Sequence, residues 1–110
     1  MPPRNSAERR AARWYRLRGY RILGTNVWIA GNELDVVACR GDTVVVCEVK
    51  SKHGAGYGDP LEMVTGEKVR RVRRAAEAWL AAQPELAEHV VRFVVVVVRG
   101  RRLEQVANAF

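Results

Sequence analysis

Apolar residues recur at a helical period near the N-terminus: Ala7, Ala11, Trp14 and Tyr15 share one face, and Arg9, Arg10, Arg13 and Arg16 spread over the other. This predicts a helix from about Ala7 to Arg18, with the Ser6 hydroxyl accepting a bond from a first-turn amide and Gly19 ending it. YRILGTNVWIA then reads as a strand with an irregularity at Gly24-Thr25-Asn26, followed by a turn at Gly31-Asn32. NELDVVACR and TVVVCEVK flank Gly41-Asp42. Gly-Asp between two β-branched runs is a two-residue hairpin signal, so these segments read as paired antiparallel strands.

Beyond the hairpin, HGAGYGDP reads as a glycine-rich loop, and Asp59-Pro60-Leu61-Glu62 has the form of a helix start, with Thr65-Gly66 delaying the regular helix. Val69, Val72, Ala75, Ala76, Trp79 and Leu80 then form an apolar stripe, with Arg70, Arg71, Arg73 and Arg74 largely outside it. Pro84 closes this helix. VVRFVVVVV is too short for a membrane span and too β-branched for a comfortable helix, which predicts a strand buried on both faces. A last short strand is predicted through Leu103 to Val106, and MPPRN reads as a disordered start. The order α-β-β-β-α-β(-β) is that of an α/β mixed central sheet flanked by helices, and 110 residues suit a single domain.

The hairpin raises a chemical question, because Glu33, Asp35, Glu48 and Lys50 interrupt otherwise apolar strands. With Gly41 and Asp42 central, Arg40 faces Thr43, and the register runs on to place Asp35 opposite Glu48 and Glu33 opposite Lys50. Alternation puts all four side chains on one face, with opposed Cβ atoms ~5 Å apart. Facing carboxylates repel, and a shared proton, a neighbouring cation such as Lys50 or a bound divalent metal would offset that. Hard oxygen ligands open to solvent suit Mg²⁺ or Mn²⁺. A solvent-exposed sheet end with a Glu33–Lys50 surface pair accounts for those two residues, but not for Asp35 among Leu34, Val36 and Val37. The same register puts Cys39 on the acidic face and Cys47 on the other, as unbonded core residues. Glu8 is the only acid before Glu33 and falls at the edge of the first helix's apolar stripe, where a first-turn acid also complements the helix dipole.

A net charge of +7 and a pI near 10.2 point to a polyanionic partner such as nucleic acid, with a basic surface kept for solubility as the alternative. No apolar stretch is long enough to span a bilayer, and no signal-peptide core follows the basic N-terminus, so a cytoplasmic location is expected. Two cysteines supply neither a disulfide framework nor a zinc site, and His53 and His89 stand apart from them.

Asp35 followed by Glu48-Val49-Lys50 resembles the D…(E)xK core of restriction-endonuclease-like nucleases, and with Glu8 it is most similar to the Holliday-junction resolvase branch. From Glu8 to Asn108-Ala109-Phe110 the chain resembles the YraN family of small bacterial proteins. The matching pieces are Glu33-Leu34-Asp35, Glu48-Val49-Lys50, Gly58 with Pro60, Lys68 and Arg92-Phe93. Asn32 departs from that family's usual glycine and Val94 from a common acid, while Lys52 replaces a common arginine and keeps its charge.

The resemblance implies a restriction-endonuclease-like core and a Mg²⁺- or Mn²⁺-dependent endonuclease acting on DNA, with branched or structured DNA as the expected substrate. Asp35, Glu48 and the Val49 carbonyl would bind metal. Lys50 would orient water or steady phosphate charge, and Glu8 would complete the site. Lys68 would contact phosphate from the positive end of its helix, its alternative being a snorkelling lysine. Arg70, Arg73, Arg74 and Lys52 would contact nucleic acid. Cutting two strands implies a homodimer or two visits. Two rival expectations are a nucleic-acid-binding protein of nuclease ancestry without useful catalysis, and a basic partner of an acidic protein.

Overall fold

The computed structural model describes residues 6–52 and 66–107. The elements are α1 (Ser6–Leu17), β1 (Arg21–Ile29), β2 (Asn32–Arg40), β3 (Thr43–Lys52), α2 (Gly66–Ala81), β4 (Val90–Arg99) and β5 (Arg102–Ala107), with a 3-10 turn at Pro84–Leu86. The predicted N-terminal MPPRN segment, the HGAGYGDP loop, the Asp59-Pro60 helix start and the C-terminal Asn108-Ala109-Phe110 lie outside the described residues. The strands form one sheet in the order β1-β2-β3-β4-β5. Only β3 and β4 pair in parallel; that pairing needs a crossover, and the segment carrying α2 supplies it. The predicted mixed sheet flanked by helices is therefore the observed fold, with the optional last strand present. No helix among the described residues is long and apolar enough to cross a membrane.

Each helix covers one face of the sheet. Ala7, Ala11 and Tyr15 of α1 pack on Val36, Ala38, Val45, Cys47, Val94, Val96 and Val98. Val72, Ala75 and Ala76 of α2 pack with Leu34, Val37, Cys39, Val44 and Val46. Val94 through Val98 are all buried, so β4 reads as a continuous apolar run because both of its faces meet core. Burying one such valine is worth ~1.5–3 kcal/mol, which holds β3 and β4 as the rigid centre of the sheet.

The end of α1 shows why the helix stops where it does. Gly19 (φ +87°) donates to the Arg16 carbonyl and Tyr20 to that of Tyr15, the paired bonds of a Schellman cap. The Tyr20 ring meets Tyr15 edge-on at 5.0 Å, sealing the cap with an apolar contact. The β1–β2 turn falls one residue earlier than predicted. Ile29 pairs with Asn32, so Ala30 (φ 52°) and Gly31 (φ 76°) are central, and an alanine in the left-handed region is not a turn signal.

Candidate metal centre where β2 and β3 part

The predicted hairpin register holds from Arg40↔Thr43 to Val36↔Cys47, and there the ladder ends. Asp35 opposite Glu48 and Glu33 opposite Lys50 are not among its rungs, which corrects the expectation of four charges aligned across the strands. In an unbroken ladder Val49 would exchange backbone bonds with Leu34. Instead the Val49 amide donates to Asp35 Oδ2 at 2.8 Å. A side-chain oxygen has replaced a backbone rung, and the strands part around it.

Alternation fails at the same place. Leu34 and Val37, three residues apart, both pack on the α2 side, while Val36 and Ala38 pack on the α1 side. The expected face of Asp35, shared with Cys39, is therefore not maintained. Glu48 continues the series Val44 and Val46 and meets the α2 side. Acids from the two faces approach one another through the gap. Glu33 pairs across to Trp28 of β1 rather than to Lys50, whose neighbour in the sheet is Val97 of β4.

On β1 the register shifts between Ile22 and Gly24, immediately before the predicted Gly24-Thr25-Asn26 irregularity, and a Cβ at Gly24 would come within 2.7 Å of Val27 Cγ2. Asn26 follows in the left-handed region (φ 52°), a conformation that asparagine tolerates. Its buried amide donates to Glu8 Oε2, and to Glu33 Oε1 at 3.1 Å. One asparagine thus ties the first turn of α1 to the start of β2.

The result is a triplet of carboxylates: one oxygen each from Glu8, Glu33 and Asp35 lies within 4.8 Å of the others. Glu8 is 7% exposed, although it is an acid in a first turn. Beside the triplet, buried Glu48 Oε1 is 3.2 Å from Lys50 Nζ and 3.2 Å from Lys68 Nζ. Lys68 does point inward from the start of α2, as its place on the stripe predicted. Val49 presents its amide to Asp35 at the parted edge of β2.

Burial, then the charge of Glu48, lifts Asp35 from an ordinary 3.8 to about 7. The Val49 amide bond opposes this, Glu8 adds to it, and Lys68 opposes it more weakly. Four carboxylates against two ammonium groups leave the fully ionised cluster with an excess of negative charge. Hard oxygen donors brought together from separate elements have the chemistry that suits a divalent cation such as Mg²⁺ or Mn²⁺.

The cysteines do not belong to this chemistry. Both are buried and free, on opposite faces as the register predicted. Burial pushes the Cys47 thiol up to about 12, opposed by a hydrogen bond with Tyr15 and aided by the nearby Asp35 charge. Tyr15 packs against it with its hydroxyl turned to the thiol and its own pKa also raised, chiefly by burial.

Of the predicted nucleic-acid contacts, Arg70, Arg73 and Arg74 are exposed on the outer side of α2, with the Arg73 guanidinium 4.6 Å from the Phe93 ring centroid. Lys52 closes β3 opposite Arg99. Sequence reasoning missed Asn26 and the place of Glu33 in the triplet. The Gly24-Thr25-Asn26 irregularity was a signal for the first, and nothing short of the broken alternation would give the second.

A profile of the uncharacterised protein family UPF0102 matches residues 7–98. Among curated relatives, a UPF0102 protein of Acidothermus cellulolyticus is 40% identical, the alignment covering 94% of this chain and 89% of the relative. One from Magnetococcus marinus is 39% identical over 94% of this chain and 87% of its own length. One from Pseudomonas putida is 36% identical over 96% and 89%.

Proposed function

The chain belongs to the UPF0102 (YraN) family, and we propose that it is a divalent-metal-dependent endonuclease acting on DNA, with branched or otherwise structured DNA as substrate. The observation that carries this reading is the Glu8–Glu33–Asp35 triplet placed beside the Lys50–Glu48–Lys68 chain. Such a grouping serves phosphoryl chemistry better than it serves stability, since like charges held together out of water weaken a fold.

Glu8, Glu33 and Asp35 would hold the cation, and the Val49 carbonyl is a further candidate ligand. When bound, Mg²⁺ or Mn²⁺ supplies charge neutralisation at the phosphate and a lowered pKa for water. Asn26 keeps Glu8 and Glu33 oriented through its amide. Glu48 holds Lys50 and Lys68 in place while the site is empty of substrate. Glu48 would be a fourth carboxylate within reach of the cation, and both ammonium groups would be placed to meet a phosphate. Lys50 then steadies the developing phosphate charge or orients the attacking water. The net charge of +7 draws the polyanion in, and Arg70, Arg73 and Arg74 contact its backbone.

The test is cleavage of single-stranded, duplex, flapped and four-way DNA across a titration of Mg²⁺ and Mn²⁺, with Asp35→Asn as control. Metal-dependent cutting of at least one substrate that disappears in the variant is the expected result. Cutting that persists unchanged in Asp35→Asn comes from a contaminant and defeats the enzyme reading. Binding without cutting under any metal would leave a nucleic-acid-binding protein that has kept a nuclease-like site.

A further inference from the structure

A groove of about 350 Å³ opens on the α1 side, lined by Arg10, Arg13, Trp14 and Leu17 of α1 with Arg101 and Leu103 of the β4–β5 hairpin. Arg10 donates to the Gly100 carbonyl, which fixes the helix against the hairpin turn. Three guanidinium groups and no carboxylate line the groove, so its charge is uniformly positive. Trp14, Leu17 and Leu103 give it an apolar part, and Leu17 is 73% exposed there.

The groove is linked to the carboxylate centre by two features of the fold. Arg10 lies two residues past Glu8 on the same helix, Glu8 turned towards β1 and β2 and Arg10 towards the β4–β5 turn. Because β4 runs parallel to β3, that turn sits at the end of the sheet where Glu48 and Lys50 stand. A strand leaving the centre can therefore enter the groove around the first turn of α1.

We propose that this groove binds an unpaired nucleic-acid strand, with phosphates on Arg10, Arg13 and Arg101 and bases on Trp14, Leu17 and Leu103. The proposal rests on the nuclease reading and narrows its substrate to one carrying a single-stranded segment. A duplex turns only phosphate and sugar outward, which would leave the apolar part unused, whereas an unpaired strand offers phosphates and flat base faces together. An independent feature on the far side of the centre agrees. Trp28, directly across the sheet from Glu33, is 70% exposed, and an open tryptophan beside phosphate chemistry is a platform for a base. Arg18, outside the groove lining, stacks its guanidinium over one face of the Trp14 ring at 3.6 Å from the centroid, so a base would meet that ring at its edge or other face.

The experiment measures equilibrium binding in EDTA, so that no cutting is required, using labelled oligothymidylate and a duplex of equal length. Arg13 and Arg101 are both exposed, so the double variant R13Q/R101Q leaves the core untouched. It should lose roughly tenfold or more in affinity for the single strand and much less for the duplex, and its log-affinity against log-salt slope for the single strand should fall by about 1.4. Equal losses on both substrates, or none, overturn the proposal. So does displacement of the oligonucleotide by polyglutamate of equal charge, which would make the groove a surface for acidic protein segments. If R13Q/R101Q shows the selective loss while the wild type never cleaves DNA, the nuclease reading falls and the groove stands. If cleavage is found and the selective loss is not, the groove falls alone.

Discussion

Asp35→Asn should stabilise the metal-free protein, and by an amount that depends on pH. In the folded chain Asp35 holds its proton up to about pH 7, against 3.8 for an ordinary aspartate. Below pH ~4 both folded and unfolded forms are protonated and the group contributes nothing. As pH rises the unfolded chain ionises first, so stability falls through the interval and stays reduced above pH 7. An interval of about three pH units at about 1.4 kcal/mol each sets a ceiling near 4 kcal/mol. Solvent reaching this half-buried side chain lowers the expected penalty to about 2–3 kcal/mol. Asparagine keeps an oxygen to accept the Val49 amide and removes the charge. Urea unfolding of wild type and variant in chelator, at half-unit steps from pH 4 to 8, reads the difference with other titrations cancelled. The gap should be small at pH 4, open on both sides of neutrality, and favour the variant above it. Millimolar Mg²⁺ should then stabilise the wild type at pH 8 and not the variant. A variant less stable than wild type at pH 8, or a gap independent of pH, would refute the electrostatic account of this centre.

Metal binding should displace the Asp35 proton, so titrating Mg²⁺ near pH 6.5 in buffers of different ionisation enthalpy should show close to one proton released, against almost none at pH 8.5. Lys50→Ala and Lys68→Ala should each cost less than about 1 kcal/mol, because Glu48 keeps the other ammonium, while the double variant should cost about 3 kcal/mol or more by stranding a buried carboxylate; additive costs in denaturant would contradict the shared clamp. Reversing Arg70, Arg73 and Arg74 to Glu should weaken binding to nucleic acid and flatten its salt dependence, with a further loss of about 0.5–1 kcal/mol in stability from the Arg73–Phe93 contact.

The sequence specified the element order because its signals were local. Gly41-Asp42 pinned the hairpin register, β-branched runs marked β3 and β4, and the stripe from Val69 to Leu80 marked α2. What it could not reveal was the end of the ladder. Extending a register assumes that alternation continues, and at Asp35 a side chain substitutes for the backbone. The acids were therefore identified as a group, and Lys50 does meet Glu48, but Glu33, expected opposite Lys50, sits with Glu8 and Asp35 in the fold. Glu8 could be named only conditionally, since its place depends on α1 lying over β1 and β2 and on Asn26 reaching it across eighteen residues of chain. The α1 groove was invisible for a similar reason, as Arg101 and Leu103 come from the far end of the sequence.

That substitution changes what Asp35 says about function. An aspartate amid Leu34, Val36 and Val37 looked inexplicable on structural grounds, but its bond to the Val49 amide gives it a structural task at the parting of the strands. An acid with such a task can persist in a chain that no longer cuts anything, so Asp35 alone carries little weight for catalysis. Glu8 carries more. It is buried, and its position near the helix N-terminus favours a negative charge by only ~0.3–1 kcal/mol, a benefit an exposed acid would gain as well. Its burial instead places one of its oxygens within 4.8 Å of oxygens of Glu33 and Asp35. Asn26 adopts a disfavoured backbone conformation and directs its amide at the same two glutamates. Structural reasons cover Asp35, and the Glu48–lysine chain is self-consistent without a metal. The proposed metal centre therefore rests on the convergence of Glu8, Glu33 and Asn26 on one point more than on Asp35 or Glu48.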